Sequence, residues 1–166
     1  MISKPTALAA VIGATFGFIT PVQAIPMGGN YTGHVDNQTP QVIGPNAVKI
    51  QQTASGVNTG PGTPLDGARV QWTETATLKN GQGPVQGTIT FTTPSGTTSS
   101  TYKGTVTTDP QGRVSAQGTY KDKNATGEFA GVKGSGTFAV TYTSKADFTG
   151  QWQGEVRLPR QKSSKR

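Results

Sequence analysis

Phe148-Thr149-Gly150-Gln151-Trp152-Gln153-Gly154-Glu155-Val156 is the stretch that decides how this chain folds. Rings, glycines and a valine take every second place, and Thr, Gln and Glu fill the places between. Successive side chains of a strand point to opposite faces, so a period of two marks one dry face and one wet face. A helix would bury every third or fourth residue instead. The same period runs back along the chain. Val132, Gly134, Gly136, Phe138, Val140 and Tyr142 alternate with Lys133, Ser135, Thr137 and Thr141. Val114, Ala116, Gly118 and Tyr120 alternate with Ser115, Gln117 and Thr119, and Tyr102, Gly104 and Val106 with Lys103, Thr105 and Thr107. Val85, Gly87, Ile89 and Phe91 alternate with Thr88, Thr90 and Thr92, and Val70, Trp72, Ala76 and Leu78 with Gln71, Thr73, Thr75 and Thr77.

Short turn sequences separate these runs: Lys79-Asn80-Gly81, Pro94-Ser95-Gly96, Asp109-Pro110-Gln111-Gly112 and Lys123-Asn124-Ala125. Such turns join antiparallel neighbours. Two weaker strand patterns come earlier, at residues 30–36 and 47–52, and residues 54–67 read as a loop punctuated by Gly and Pro. The expectation is an all-β domain over residues 25–158: a single antiparallel closed β-barrel of about eight strands, since closure removes exposed sheet edges. Glycines recur beside rings on the dry face, where they leave room for the ring opposite.

Composition agrees. Only 31% of the 166 residues are hydrophobic, and Thr outnumbers even the 23 glycines, which argues against a helical bundle. No Cys and a single His argue against thiol, haem and zinc chemistry, and no carboxylate spacing resembles a metal loop. Neither a metal nor a cofactor is expected. No Ser-His-Asp set, phosphate loop or dinucleotide fingerprint appears.

Residues 1–24 read as a signal peptide: Lys4, an apolar run from Ala7 to Ile19, then Val22-Gln23-Ala24 with small residues before a cut. The run is shorter than the ~20 residues that cross a bilayer. No integral membrane segment is expected after its removal, and the protein is expected to be secreted or periplasmic. Sequons stand at Asn30, Asn37 and Asn124. The net charge of +7 belongs largely to Arg160, Lys162, Lys165 and Arg166, which mark residues 159–166 as a basic disordered tail. Aromatics do not interleave with basic residues, so nucleic acid is not an expected partner.

Thr126-Gly127-Glu128-Phe129-Ala130-Gly131-Val132-Lys133-Gly134, followed by a strand, resembles the signature of the allene oxide cyclase-like and dirigent-like barrel proteins. The resemblance implies an eight-stranded antiparallel barrel whose late strand this segment enters. It also implies chemistry of one of two kinds: rearrangement of an unsaturated fatty-acid epoxide, or guidance of phenoxy-radical coupling. It carries no catalytic position over to this chain, and a shared fold hosts unrelated functions.

Glu74 breaks the alternation by falling on the dry face between Trp72 and Ala76. A buried carboxylate requires hydrogen-bond partners, and burial raises its pKa. Tyr102, Tyr120 and Tyr142 share the dry faces and need partners for their hydroxyls. With Trp72 and Trp152, these residues are the candidate ligand-binding residues of the lumen. A Glu74 solvated at the barrel mouth or beside a bulge is the competing reading. His34 reads as a surface residue, with Asp36 nearby. Three functions follow: binding of a small apolar or phenolic ligand in the lumen, a cyclase- or isomerase-like enzyme using Glu74 and tyrosines, or a structural or surface-interaction domain with a packed interior.

Overall fold

A computed structural model of the chain describes residues 24–158. The expected signal peptide, apart from Ala24, and the expected basic tail, residues 159–166, lie outside the described residues. Eight antiparallel strands form one ring-like sheet: β1 (Ala24–Gly44), β2 (Ala47–Thr59), β3 (Arg69–Lys79), β4 (Gly83–Thr93), β5 (Gly96–Thr108), β6 (Val114–Ala125), β7 (Lys133–Tyr142) and β8 (Asp147–Arg157). Each strand pairs with its neighbour in sequence, and β8 returns to pair with β1 from Ala24↔Arg157 to His34↔Asp147. The fold is all-β. Among the described residues the only helical piece is a 3-10 turn, Gly127–Phe129, and no helix is long and apolar enough to cross a membrane.

The alternation produces the burial expected of it. In β3, Val70, Trp72 and Ala76 are buried while Gln71, Thr73 and Thr77 are exposed. Asn80 (φ 53°) and Gly81 (φ 77°) are both left-handed, which is the demand of a two-residue hairpin turn between β3 and β4. Inside the ring, the Tyr31 and Trp72 rings lie 5.2 Å apart, Trp72 and Phe148 5.2 Å, and Phe91 and Trp152 5.8 Å. Each such aromatic pair adds about 0.5–1.5 kcal/mol beyond the area it buries. Glycines make the space. Gly33 is paired with Phe148 and Gly150 with Tyr31, and a Cβ at either glycine would strike the partner's ring at 2.3 Å.

Three expectations of strand extent are corrected. Residues 54–59 are strand rather than loop, because Gln52, Ala54, Gly56 and Asn58 continue the inward alternation of β2, and the true connection is residues 60–68. β1 runs well past residues 30–36 in both directions, and a register shift between Val35 and Asn37 lets it bend. Its last part, residues 37–44, pairs with β2 alone and overhangs the ring, with Val42 82% exposed and Pro40 withholding a donor from the free edge. Finally, Lys123-Asn124-Ala125 belongs to β6, and the connection to β7 runs through the 3-10 turn.

Candidate functional site

The ring encloses a cavity of about 270 Å³, and all six candidate residues line it: Trp72, Glu74, Tyr102, Tyr120, Tyr142 and Trp152. Its exposed lining residues, Pro64, Glu128 and Leu158, all belong to the end where the 60–68 connection, the 3-10 turn and the close of β8 meet. The cavity opens there.

Glu74 is neither at a bulge nor solvated at the mouth. β3 keeps its register with both β2 and β4, so Glu74 faces inward with Trp72 and Ala76 and is largely buried. Gln52 is its paired neighbour on β2, and its Nε2 donates to Glu74 Oε1 at 2.5 Å. On the other side Glu74 is paired with Gly87, which is itself paired with Tyr102. A Cβ at Gly87 would lie 2.7 Å from the Tyr102 hydroxyl and 2.8 Å from Glu74 Cβ, so only glycine lets Tyr102 Oη donate across it to Glu74 Oε2. Gln52 Nε2 also donates to Tyr142 Oη at 2.8 Å, and Gln52 Oε1 accepts from Gln38 Nε2 at 2.8 Å. The result is a polar chain, Gln38–Gln52–Glu74–Tyr102, with Tyr142 attached at Gln52.

Burial pushes the Glu74 carboxyl above its ordinary value, and the bonds from Tyr102 and Gln52 oppose that shift without cancelling it. The Tyr102, Tyr31 and Tyr142 phenols are raised by burial and then by the Glu74 charge. Tyr120 is pushed up to about 12 by burial and by Asp122. The lumen resists negative charge, and a Glu in such surroundings can keep a proton and give it to a bound base.

Three further polar residues, Asn58, Ser100 and Asp122, were not legible as site residues. Asn58, fully buried, accepts from Trp152 Nε1 at 2.8 Å and donates to Leu65 O at 2.8 Å. Trp152 therefore offers a ligand only its ring, since its polar atom is engaged in pinning the 60–68 connection to the barrel. Ser100 Oγ donates to Asp122 Oδ1 at 2.6 Å, in paired positions beside the Tyr102–Tyr120 pair. Every fully buried side-chain N and O among the described residues has a partner.

His34 lies on the exposed side, as a surface reading requires, yet its partner is Asp147 at 2.7 Å rather than Asp36, which accepts from Ser55. Among the described residues no group of three His, Cys, Asp or Glu could hold a metal. A wider groove of about 1290 Å³ lies along the wet face, lined by Thr75, Gln86, Lys103, Gln117 and Thr119 among others. Among the described residues Lys103 is its only titratable lining residue, whereas the cavity inside the ring gathers Glu74, Asp122, Glu128 and four tyrosines. No family model and no curated protein matches this chain.

Proposed function

We propose that this protein is an exported binding barrel that holds a small, mainly apolar or phenolic molecule in its lumen. One observation carries the reading: a cavity of about 270 Å³, walled by aromatic rings, with a polar cluster at Glu74 and a second polar pair, Ser100–Asp122. Apolar walls with a few convergent polar groups are the usual make-up of a small-molecule site, and this one lies just below the usual range of about 300–1,000 Å³. A fully packed structural barrel would leave no such space. The segment Thr126–Gly134, which leads into β7, keeps its resemblance to the allene oxide cyclase-like and dirigent-like barrels and supports the same reading.

Trp72 and Trp152 line the cavity and report on its contents. Titration with phenols and short fatty compounds should quench or shift their fluorescence with saturation. A Trp72→Phe variant that stays folded should lose part of that signal. Absence of a saturable response to every compound in such a panel defeats the binding reading. Export is tested separately: the mature chain should begin near Ile25.

The Tyr102–Glu74 hydrogen bond favours one second reading, an isomerase-like enzyme in which Glu74 moves the proton. Turnover of a bound compound that disappears in Glu74→Gln, with binding retained, would select it over simple binding.

A further inference from the structure

We propose that the lumen's ligand is a cation: a small aromatic amine whose ammonium group meets the Glu74 carboxylate among the surrounding rings. The inference rests on the lumen-binding reading and names its ligand class.

The distribution of charge points this way. The chain carries 15 Lys and Arg against 8 Asp and Glu, yet among the described residues three acids, Glu74, Asp122 and Glu128, line the cavity and no Lys, Arg or His does. The ion pairs among the described residues are His34–Asp147 and Arg113–Asp109, and neither involves a lumen acid. Among the described residues Glu74 has donors but no countercharge. A buried carboxylate without an opposite charge is costly, and an incoming ammonium would supply what the protein withholds. Both Glu74 oxygens still have lone pairs free after accepting from Gln52 and Tyr102.

The walls suit the same guest. Tyr31, Trp72, Phe148 and Tyr142 form a continuous aromatic surface, with successive ring centroids 5.2, 5.2 and 5.4 Å apart. Faces of such rings attract a desolvated cation as well as an apolar body. An anionic ligand would meet three carboxylates and, among the described residues, no basic partner. The cavity's size limits the guest to about one ring with a short side chain.

Three probes of one shape separate the outcomes: phenethylamine, 2-phenylethanol and phenylacetate, each titrated calorimetrically into the whole exported protein. The amine should bind at least about tenfold more tightly than the alcohol, a difference of about 1.4 kcal/mol, and the carboxylate should bind weakest. Glu74→Gln should abolish the amine's advantage over the alcohol, and a β-type far-UV circular dichroism spectrum with a cooperative unfolding transition shows that the variant folds. Alcohol binding equal to or tighter than amine binding overturns the charge preference and leaves lumen binding intact. Loss of the preference in Asp122→Asn but not in Glu74→Gln overturns the placement of the cation. If none of the three binds, the amine proposal falls, and the panel of phenols and fatty compounds decides the lumen reading separately.

Discussion

Tyr102 on β5 donates its hydroxyl hydrogen bond to Glu74 on β3 by passing over Gly87 on the strand between them. Two strands that share no ladder are thereby tied together inside the barrel. The arrangement makes the missing side chain of β4 part of the site.

Tyr102→Phe removes one of the two donors to Glu74 and keeps the ring against Phe138, 5.3 Å away. The loss should destabilise the fold by about 1–3 kcal/mol, the usual cost of leaving a buried acceptor short of a partner. It should also raise the Glu74 pKa further, because the Tyr102 bond is the largest influence lowering it. Carboxyl NMR titration of both proteins checks the direction, and an unchanged or lower midpoint would contradict it.

Glu74 should give stability a slope with pH. Its folded pKa is raised above the ordinary 4.5, so at pH between the two values the native state holds a proton that the unfolded chain has released. Stability is fully present below the unfolded pKa and declines as pH rises through the folded one, by about 1.4 kcal/mol for each unit of elevation. Glu74→Gln should lose this slope, with the largest gain relative to wild type at high pH. Thermal unfolding at a series of pH values measures it; parallel curves for the two proteins would refute the burial argument.

Gly136 and Gly134 should respond differently to a side chain. A Cβ at Gly136 would lie 2.0 Å from the backbone oxygen of Gln153, whereas one at Gly134 would meet the carboxylate end of Asp122 at 2.5 Å and Val156 at 3.1 Å. A side chain can turn aside and a paired backbone cannot. Gly136→Val should cost about 3 kcal/mol or more and Gly134→Val clearly less, at the lower end of overpacking penalties. Denaturant unfolding of the two variants ranks them, and equal losses would show that β7 is not held so tightly against β8.

The strands from β3 onward were legible because their inward residues are rings, aliphatic groups and glycines set against Thr and Gln. β2 was only half legible for a physical reason. Its inward residues include Gln52 and Asn58, and polar side chains facing a lumen erase the apolar period that reveals a strand. The same erasure hid Gln52, the second donor to Glu74 beside Tyr102, and Asn58, the partner of Trp152. Glu74 itself stood out because it interrupted an otherwise apolar face. The identity of its donors depended on pairing between strands far apart in sequence, which local periodicity does not contain.

Asn58→Ala should show what the hidden residue does. It removes the acceptor of Trp152 Nε1 and the donor to Leu65 O. A loss of about 1–3 kcal/mol is expected, from the unpaired indole and carbonyl. Proteolysis should also reach residues 60–68 sooner than in the wild type. Unaltered cleavage there would mean that the connection is held by Leu65 packing alone.

The return of β8 to β1 sets Ala24 directly opposite Arg157. The ring therefore has no privileged first strand. Its most distant seam in sequence must wait until nearly the whole chain has been made, whereas every other ladder joins strands adjacent in sequence. Linking Arg157 to Ala24 with a tight turn and opening the chain at the exposed 109–112 turn would preserve all eight ladders and make that slow seam a local hairpin. The order in which the ring is assembled is thus separable from the ring itself.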